Sequence, residues 1–565
     1  MEMKTKESLP KPTNNQRNEN VNNVDPPISD VIETVKRGRP TNKTIPVKNL
    51  QAIIDKMSLG EHAGFKHEYH EIPRGELHPC EEAKKPENKP KNRYTTTFPY
   101  DHSRVILKTT STNDGGYINA NYIEDAGGKR AYIATQGPKP KTITDFWRMV
   151  WQEGVFVIVC LTNLKEGAKN KCALYWPGIN DKIQDGDLNI RNVGEKDYAN
   201  CTIRQFKFYN GKEQRDREVV MFHYTRWPDH GVPDPLSLVI FHRHVMTTSS
   251  SYSGEYTVVH CSAGIGRTGT YIALDALYRE GWRKGRINVP MYVRTMRKDR
   301  MNMIQGEELL SLRKEYLQKD YESGRANITA NYTNSVLPVE RFMCRLSYAK
   351  ERSTYYNAVL HQTFTANDLL ISAQYPLPDY SEDFLKLVKD FDARVVVFMC
   401  PLKDLKSSSR WFPSKTDNNM IGNFTARLKT STNSGNVSTT KIILESKGSS
   451  EIQITVLECN TWNETESVVN KRALLDMVKE AKSEQTKQDG RILILSSDGA
   501  TRCGSFCVVY NALEQITMDK EVDIFTITRQ LQVRRTEFLS TLDEYQLCHD
   551  VVTEYLQNDS VYANC

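Results

Sequence analysis

The sequence predicts an α/β fold that is present twice along the chain. Segments typical of strands and of helices alternate through most of the 565 residues, and a set of motifs recurs after roughly 235 residues. A repeat of this length indicates a duplicated domain, because solenoid repeats span only about 20–50 residues. We therefore expect two domains, each a twisted mixed sheet flanked by helices.

Three pairs of motifs carry the repeat and set the domain boundaries. The pairs are 117–120 with 355–358, 134–138 with 373–376, and 145–150 with 383–388. From these pairs and from the polar composition between them, the predicted units are a disordered polar tail at 1–45, a first domain at 46–325, a linker at 326–336, a second domain at 337–558 and a tail at 559–565.

Apolar periodicity predicts the elements of the first domain in order. Val47, Leu50 and Met57 fit one face of an opening helix, and a second short helix is expected at 64–70. The other predicted elements are strands at 132–135, 155–161, 218–225 and 257–260 and helices at 144–153, 267–283 and 307–322. The segment 155–161 is almost continuously apolar, which is typical of a strand buried on both faces.

Composition excludes several classes of function. The chain is 38% hydrophobic and 26% charged, and its net charge of +6 is too small for its length to indicate nucleic-acid binding. Residues 36–40 (Lys-Arg-Gly-Arg-Pro) resemble a minor-groove hook, but a solvated basic linker has the same composition. The 12 cysteines lack zinc-type spacing, and no signal peptide or apolar run of roughly 18 residues is found. We expect a cytoplasmic chain with free thiols, no metal and no cofactor.

An eleven-residue string at 259–269, Val-His-Cys-Ser-Ala-Gly-Ile-Gly-Arg-Thr-Gly, follows an apolar strand and opens a helix. The residues between its cysteine and its arginine are mostly small, so their backbone N–H groups can turn inward and form an anion nest. The following helix adds its positive N-terminal end. The residues expected to form this nest are Ser262, Ala263, Gly264, Ile265 and Gly266.

The string places a nucleophile inside a phosphate cradle. The positive field that binds a phosphate also stabilises a thiolate, so Cys261 should be ionised near neutral pH. Arg267 offers a planar fork to two phosphate oxygens. Attack of the thiolate on phosphorus gives a phosphocysteine without a metal, and Thr268 is placed to hydrogen-bond the departing sulfur. A strand-to-helix turn with a buried cysteine could share the Cys-x5-Arg spacing, but not the whole string.

A second motif at 227–233, Trp-Pro-Asp-His-Gly-Val-Pro, predicts a mobile lid. Its proline and glycine residues punctuate a loop, so Asp229 can be carried over the cradle as a general acid, with Trp227 as the apolar hinge. Alone, such a motif could be a surface turn, but upstream of a phosphate cradle it predicts the proton donor for the leaving group.

These motifs resemble those of receptor-type protein tyrosine phosphatases with tandem phosphatase domains, over about residues 45–558. The resemblance implies two tandem phosphatase domains that act on tyrosine-phosphorylated proteins. Residues 64–69 look most like the mu/kappa-type subgroup. Two departures from the family pattern, Thr96 in place of Asp or Asn and Leu309 in place of a second glutamine, put the affinity for peptide in doubt but remove no catalytic group.

The resemblance also implies roles for further residues of the first domain. Asn92, Arg93 and Tyr94 match the loop that recognises phosphotyrosine, with Tyr94 stacking on the substrate ring and setting a depth that excludes phosphoserine. The other matched residues are Glu166, which would hold Arg267; Gln305, which would position water for the second step; Arg300, which would line the substrate entrance; and His260, which would tune the thiolate.

The second copy has lost this chemistry. Ser496 stands where Cys261 stands, and its hydroxyl would not ionise near neutral pH. Asp498 puts a negative charge into an anion site, although Arg502 persists. Further losses are Trp462-Asn463-Glu464 in place of the lid motif, Ser540 in place of Gln305 and no counterpart of 92–94 before Tyr356. The prediction is a pseudophosphatase domain with a binding or regulatory role.

The sequence leaves several alternatives open. The chain could be a phosphotyrosine-binding scaffold without turnover; a dual-specificity or lipid phosphatase is disfavoured, because Tyr94 predicts a deep pocket. Tyr562 and Asn564 resemble an adaptor-docking site, although a plain tail would look the same. A homodimer is open, nucleic acid is not expected, and membrane contact is expected only if the chain is the intracellular part of a receptor.

Overall fold

Two nine-stranded sheets organise the described part of the chain, one in each half. In the computed structural model the described residues are 43–108, 116–228, 231–252, 254–305, 316, 318–347, 353–405, 407–413, 419–446, 450–462 and 470–562. Residues Ile45–Cys565 form one compact unit that contains both sheets. Two tandem mixed α/β domains are thereby confirmed.

The sheet of the first domain is parallel at its centre and antiparallel at both flanks. The strands of this domain, including four that form two small separate sheets, are β1 (Ile45–Pro46), β2 (Arg104–Ile106), β3 (Tyr117–Glu124), β4 (Arg130–Thr135), β5 (Val157–Cys160), β6 (Lys165–Glu166), β7 (Lys169–Asn170), β8 (Lys182–Asp185), β9 (Leu188–Asp197), β10 (Cys201–Asn210), β11 (Arg215–Tyr224), β12 (Thr257–His260) and β13 (Arg286–Ile287). The main sheet has the order β2-β3-β4-β12-β5-β11-β10-β9-β8, and β4, β12, β5 and β11 are parallel neighbours. β1 pairs with β13, and β6 with β7.

Helices cover both faces of this sheet. They are α1 (Leu50–His70), α2 (Glu81–Lys84), α3 (Ile143–Gln152), α4 (Pro235–Ser249), α5 (Gly266–Lys284), α6 (Val289–Asp299) and α7 (Glu322–Ala326). Val157 and Val159 of β5 enter the core shared with α4, α5 and α6, whereas Ile158 and Cys160 enter the core beneath α3. All four are buried, because the strand is enclosed on both faces, as its apolar run predicts.

The second domain repeats the same architecture. Its strands are β14 (Met343–Arg345), β15 (Tyr355–His361), β16 (Leu370–Gln374), β17 (Ala393–Phe398), β18 (Asn419–Ile421), β19 (Phe424–Ser434), β20 (Val437–Ser446), β21 (Ile452–Cys459) and β22 (Arg491–Ser496). Its helices are α8 (Ser381–Asp390), α9 (Ser408–Trp411), α10 (Lys471–Gln488), α11 (Thr501–Asp519), α12 (Ile524–Gln532) and α13 (Leu542–Tyr562). The strand order β14-β15-β16-β22-β17-β21-β20-β19-β18 matches the first sheet strand for strand.

The structure corrects several predicted boundaries. Ile45 already belongs to β1, and the two helices expected near the start are one helix, α1, in which Gly60 and His62 have positive φ where the break was expected. The helix expected at 307–322 falls mostly outside the described residues. At the other end, α13 continues to Tyr562, so the predicted tail begins later than 559.

Residues 326–336 are not a free linker. Asn331 donates through its amide nitrogen to the carbonyls of Gly324 and Asn327, and its amide oxygen accepts from the hydroxyl of Tyr355 in β15. The backbone N–H of Tyr332 donates to Gln374 at the end of β16. These side-chain hydrogen bonds attach the segment to the second sheet, so it is part of that domain.

Candidate active site

The loop after β12 lies at the carboxyl end of the central parallel strands, where open α/β sheets place their sites. It runs from Cys261 into α5, whose N-terminus faces the loop. Gly264 has φ +72, and a Cβ there would come within 2.2 Å of the carbonyl oxygen of Thr135. The loop therefore needs glycine at this point both for its backbone conformation and for its approach to β4.

Cys261 is buried, and its sulfur accepts from the backbone N–H of Gly264 at 3.3 Å. The preceding His260 is fully buried, and burial lowers its pKa to about 3. Its Nδ1 lies 3.2 Å from the Cys261 carbonyl, which can only accept, so Nδ1 carries the proton and Nε2 accepts from the hydroxyl of Tyr175 at 2.7 Å. His260 is thus neutral and acts on the loop through the Cys261 backbone.

A carboxylate holds the cradle arginine. Arg267 donates through Nη1 to Glu166 Oε1 at 2.5 Å and through Nη2 to Oε2 at 3.0 Å. Glu166 is itself buried, and it also accepts from the Thr162 hydroxyl and pairs with Lys171. This bidentate arrangement fixes the plane of the guanidinium, as the resemblance implies.

Arg300 lies beneath the loop, not at an entrance, which corrects the expected placement. It is fully buried, and burial lowers its pKa to about 10. Its donors go to the carbonyls of Gly264 (2.8 Å) and Ala263 (3.1 Å) and to the amide oxygens of Asn119 and Asn121 in β3. By donating to these two carbonyl oxygens, Arg300 holds them on the side of the loop that faces β3.

The predicted recognition loop divides into one exposed residue and two internal ones. Tyr94 is 38% exposed, and its hydroxyl lies 2.8 Å from the hydroxyl of Ser262, so its ring forms a wall beside the cradle. Asn92 is buried against Tyr117 and Asn119 of β3.

Arg93 also faces the protein interior. It donates through Nε to the carbonyl of Gly137 and through Nη2 to that of Pro138, and its backbone N–H donates to Gln136. Asn92 and Arg93 therefore support Tyr94 through their bonds to the protein, and a direct contact of either with a substrate stays a prediction.

The described ends of the predicted lid contact the cradle. Trp227 is buried, with its indole N–H 3.4 Å from the Gly231 carbonyl, and the carbonyl of Pro228 accepts from Nη2 of Arg267 at 2.9 Å. Asp229 lies outside the described residues.

The segment 301–305 brings Gln305 to the first turn of α5. A Cβ at Gly266 would lie 3.7 Å from Oε1 of Gln305. The preceding Ile304 has φ +61, a left-handed conformation that is strained for a β-branched residue, and its N–H donates to the carbonyl of Ile265.

Thr268 is buried, and its hydroxyl finds no hydrogen-bond partner within the described part of the chain. The hydroxyl of Thr268 therefore makes no hydrogen bond to the sulfur of Cys261 in this structure, unlike the contact that the sequence predicts. Leu309 lies outside the described residues.

In the second domain the carboxylate of Asp498 lies at the start of α11, at the position that corresponds to the predicted anion nest of the first domain. Ser496 is fully buried at the end of β22 and donates to Asp498 Oδ1 at 3.0 Å. The same oxygen accepts from the backbone N–H groups of Ala500 and Thr501 at the start of α11, and the Thr501 hydroxyl donates to Oδ2. Burial raises the pKa of Asp498, but these hydrogen bonds outweigh it, so the pKa lies below its ordinary value.

The surroundings of Arg502 partly repeat those of Arg267, which lies 5.8 Å over the ring of Trp227 and donates to the Leu161 carbonyl. Arg502 lies 4.6 Å over the ring of Trp462 and donates to the carbonyls of Trp462 and Met399. Glu464 lies outside the described residues. No cluster of His, Cys, Asp and Glu side chains that could hold a metal ion is present among the described residues of either domain.

A counterpart of residues 92–94 exists in the second domain, so the prediction that it is missing was wrong. Asn331 repeats the contacts of Asn92, because Tyr355 donates to its oxygen as Tyr117 donates to Asn92. The third position is Thr333 instead of Tyr94, so the aromatic wall is absent there. The conserved contact partner, the tyrosine that opens each Tyr-x-Asn-Ala motif, was the sequence signal that could have located the segment.

Comparison with known proteins agrees with this geometry. The sequence model described as protein-tyrosine phosphatase matches residues 88–316 and 327–554. Human receptor-type tyrosine-protein phosphatase alpha is 28% identical over 603 aligned residues, covering 94% of this chain and 74% of that protein. The chicken (Gallus gallus) receptor-type phosphatase S is 28% identical over 92% of this chain, and the bovine (Bos taurus) phosphatase F is 27% identical over 93%. The chain spans only 38% and 31% of the lengths of these last two relatives.

Proposed function

The chain belongs to the protein-tyrosine phosphatase family, and on that premise we propose that its first domain hydrolyses phosphotyrosine in proteins through a phosphocysteine on Cys261. The observation that carries the proposal is the bidentate pair between Arg267 and Glu166 at the mouth of the Cys261 loop. A guanidinium held in this way presents its remaining edge to phosphate oxygens beside a buried sulfur. A scaffold that only bound phosphotyrosine would need no nucleophile there.

The first step is in-line attack by the Cys261 thiolate on phosphorus. The phosphate lies on the N–H groups of residues 262–267 and on Arg267, which neutralise the charge that develops on the equatorial oxygens. The bond between phosphorus and the tyrosine oxygen breaks, and Asp229 gives its proton to that oxygen. The ring of Tyr94 packs against the substrate ring, so the sulfur is reached only by a long aryl phosphate.

The second step is hydrolysis of the phosphocysteine. Gln305, placed beside the first turn of α5, orients a water molecule, and Asp229 takes its proton as the water attacks phosphorus. The sulfur leaves as a thiolate that the Gly264 N–H stabilises. Inorganic phosphate and the starting enzyme result.

We propose that the second domain is inactive and has a binding or regulatory role. Its nest contains a serine in place of the nucleophile and an internal carboxylate, Asp498, that accepts the helix N-terminal N–H groups which a phosphate would need. A second anion at the same place would be repelled by that charge.

The direct test is hydrolysis of phosphotyrosine and phosphoserine peptides by the wild type, Cys261→Ser and Ser496→Cys. We expect release of phosphate from phosphotyrosine alone, no turnover by Cys261→Ser and unchanged turnover by Ser496→Cys. An inactive wild type would move the protein to the scaffold class, and turnover that survives Cys261→Ser would reject the proposed nucleophile.

The relatives named above are receptor-type proteins, and we propose that the chain acts at the cytoplasmic side on tyrosine-phosphorylated proteins. None of the helices in the described residues is long and apolar enough to cross a membrane. The resemblance to the mu/kappa-type subgroup, the adaptor site at Tyr562 and a homodimer remain predictions.

A further inference from the structure

Trp282, in the last turn of α5, is the most exposed large apolar side chain among the described residues, at 85%. Close to it, Val47 just after β1 is also exposed, and a Cβ at Gly281 would lie 3.3 Å from Cγ2 of Val47. A single exposed apolar residue is ordinary on a protein surface. The charges around this indole are what distinguish it.

Exposed cations lie on the elements that meet at this end of the domain. Arg283 follows the indole, and its Nη2 lies 3.1 Å from the position that a Cβ at Gly127 would take, so it reaches the turn between β3 and β4. Lys129 lies in that turn, Lys48 follows β1, and Arg286 lies in β13 beside β1. All four cations are exposed, and none of them forms an ion pair within the described part of the chain.

Nearby carboxylates do not cancel this positive charge. Glu280 pairs with Lys284 at 3.0 Å. Asp125 accepts through Oδ1 from two backbone N–H groups of its own turn. By sequence, residues 36–43, which precede β1, add four cations and no acidic residue. This end of the domain therefore carries an excess of positive charge around an exposed aromatic ring.

The charged end lies opposite the cradle. Trp282 follows Gly266, at the cradle end of α5, by sixteen residues, which is roughly 24 Å along the helix axis. β4 runs between the same two ends, because it starts at Arg130, after the β3–β4 turn, and ends at Thr135, whose carbonyl adjoins Gly264 of the cradle loop. A partner bound at the charged end would leave the cradle open to substrates.

We propose that this end of the first domain, which we name the basic-aromatic surface, binds an anionic lipid membrane. Its residues are Val47, Lys48, Lys129, Trp282, Arg283 and Arg286. The indole lies at the level of the lipid headgroups, where amphipathic rings are stable, and the cations neutralise the anionic headgroups. A nucleic acid would contact the cations but offers the exposed indole no apolar layer to enter. A symmetric contact with a second copy of the chain would bring the same cations face to face.

The test measures the partition of the full-length protein onto lipid vesicles by sedimentation. Vesicles of phosphatidylcholine with about 30% phosphatidylserine should bind the protein at least about tenfold more strongly than vesicles of phosphatidylcholine alone. Trp282→Ala should lower the partition coefficient about tenfold, because the indole no longer leaves water on binding. The triple variant Lys129→Gln/Arg283→Gln/Arg286→Gln should lower it roughly a hundredfold, since each cation near an anionic surface contributes about fivefold.

Matched controls separate the basic-aromatic surface from overall charge and from folding. Lys182→Gln/Lys207→Gln/Lys212→Gln removes the same number of exposed positive charges from the β8–β10 flank of the sheet and should bind vesicles as the wild type does. Phe525→Ala removes an aromatic side chain that is 64% exposed in α12 of the second domain and should also bind normally. Because all the changed side chains are exposed, the melting temperatures of the variants should match that of the wild type.

Loss of vesicle binding that is confined to Trp282→Ala and to the triple variant of the basic-aromatic surface supports the proposal. Absent binding, equal binding to both kinds of vesicle, or equal losses in the two triple variants would overturn it. Binding of duplex DNA, or self-association in ultracentrifugation, that depends on Trp282 while vesicles are not bound would assign the surface to another partner. Cys261→Ser should bind vesicles as the wild type does, so the result is independent of the proposed phosphatase activity.

Discussion

At the scale of single residues, positions 263 and 498 separate the two sites. Ala263 has no side-chain acceptor, so the backbone N–H groups at the start of α5 are available to a phosphate. Asp498 accepts from the N–H groups of Ala500 and Thr501 at the start of α11, so its carboxylate occupies the anion position there. The same residue change explains both the stability of the second nest and its predicted failure to bind phosphate.

Replacing Asp498 by alanine should exchange stability for anion binding. Losing these hydrogen bonds should lower the free energy of unfolding of the second domain by about 1 kcal/mol, while added inorganic phosphate should raise the melting temperature of Asp498→Ala more than that of the wild type. Asp498→Asn keeps an acceptor oxygen at the helix start and should melt close to the wild type without phosphate. Equal phosphate effects on all three proteins, measured by thermal unfolding, would contradict this account.

The sequence predicted which residue types form the site, but not how deeply each side chain is buried. The spacing of Cys261 and Arg267 indicated a phosphate cradle, the resemblance added Glu166, and the structure pairs Glu166 with Arg267. Arg300 was expected at an entrance, because the family resemblance implied that placement. It is buried instead, since its partners Asn119 and Asn121 come from β3, almost two hundred residues away, and such contacts leave no local pattern.

At the scale of elements, the site of the first domain depends on how closely α5 approaches the segment 301–305. A Cβ on Gly269 would lie 2.5 Å from the backbone nitrogen of Ile304, whose positive φ turns the chain toward Gln305. The second domain keeps this geometry with Gly504 against Leu539, also at positive φ, but a Cβ there would meet the backbone nitrogen only at 3.2 Å.

Gly269→Ala should therefore displace Gln305 and slow the second chemical step more than the first. The expected result is a burst of tyrosine release followed by a slow steady state, because the phosphocysteine accumulates. Rapid-quench kinetics measures the burst. The matched change Gly504→Ala should leave the kinetics unchanged, and a Gly269→Ala enzyme with no burst and equal loss in both steps would contradict the assignment of Gln305.

The bounds of elements with strong local apolar periodicity could be predicted from the sequence. The role of a segment that depends on hydrogen bonds to residues distant in the sequence could not. The apolar runs placed β5 and β12 within two residues of their observed bounds, and α3 and α5 within one residue. The segment at 331–333 was taken for a linker, because its role comes from bonds to Tyr355 and Gln374 in another part of the sequence. The boundary of a duplicated domain is therefore set by contacts that composition does not reveal.

At the scale of the whole molecule, duplication has produced two cores that bury neutral histidines. Burial lowers the pKa of His223 to about 4 and of His260 to about 3, and lowers that of His361 well below its ordinary value. In the unfolded chain these groups titrate near roughly 6.5, so between that pH and the folded-state values the unfolded chain binds more protons. Their contribution to stability is complete above that pH and is lost as the pH falls.

Acidification from neutral pH should consequently destabilise the protein by roughly 1.4 kcal/mol per pH unit for each buried histidine. The measurement is the urea midpoint between pH 7 and pH 5. His361→Asn should reduce the slope by about one histidine's share, whereas replacing the exposed His67 by glutamine should leave it unchanged. A pH-independent midpoint, or an equal effect of both variants, would show that these histidines are protonated in the folded protein.

The most direct test of the central claim, that the chemistry belongs to the first domain alone, is to locate the covalent intermediate. Full-length Gln305→Ala, in which hydrolysis of the phosphocysteine is slowed, would be mixed with a ³²P-labelled phosphotyrosine peptide, quenched in acid and digested. We predict label on the peptide that contains Cys261 and none on peptides of the second domain. Label on the peptide that contains Ser496, or rapid turnover with no label at Cys261, would contradict the account.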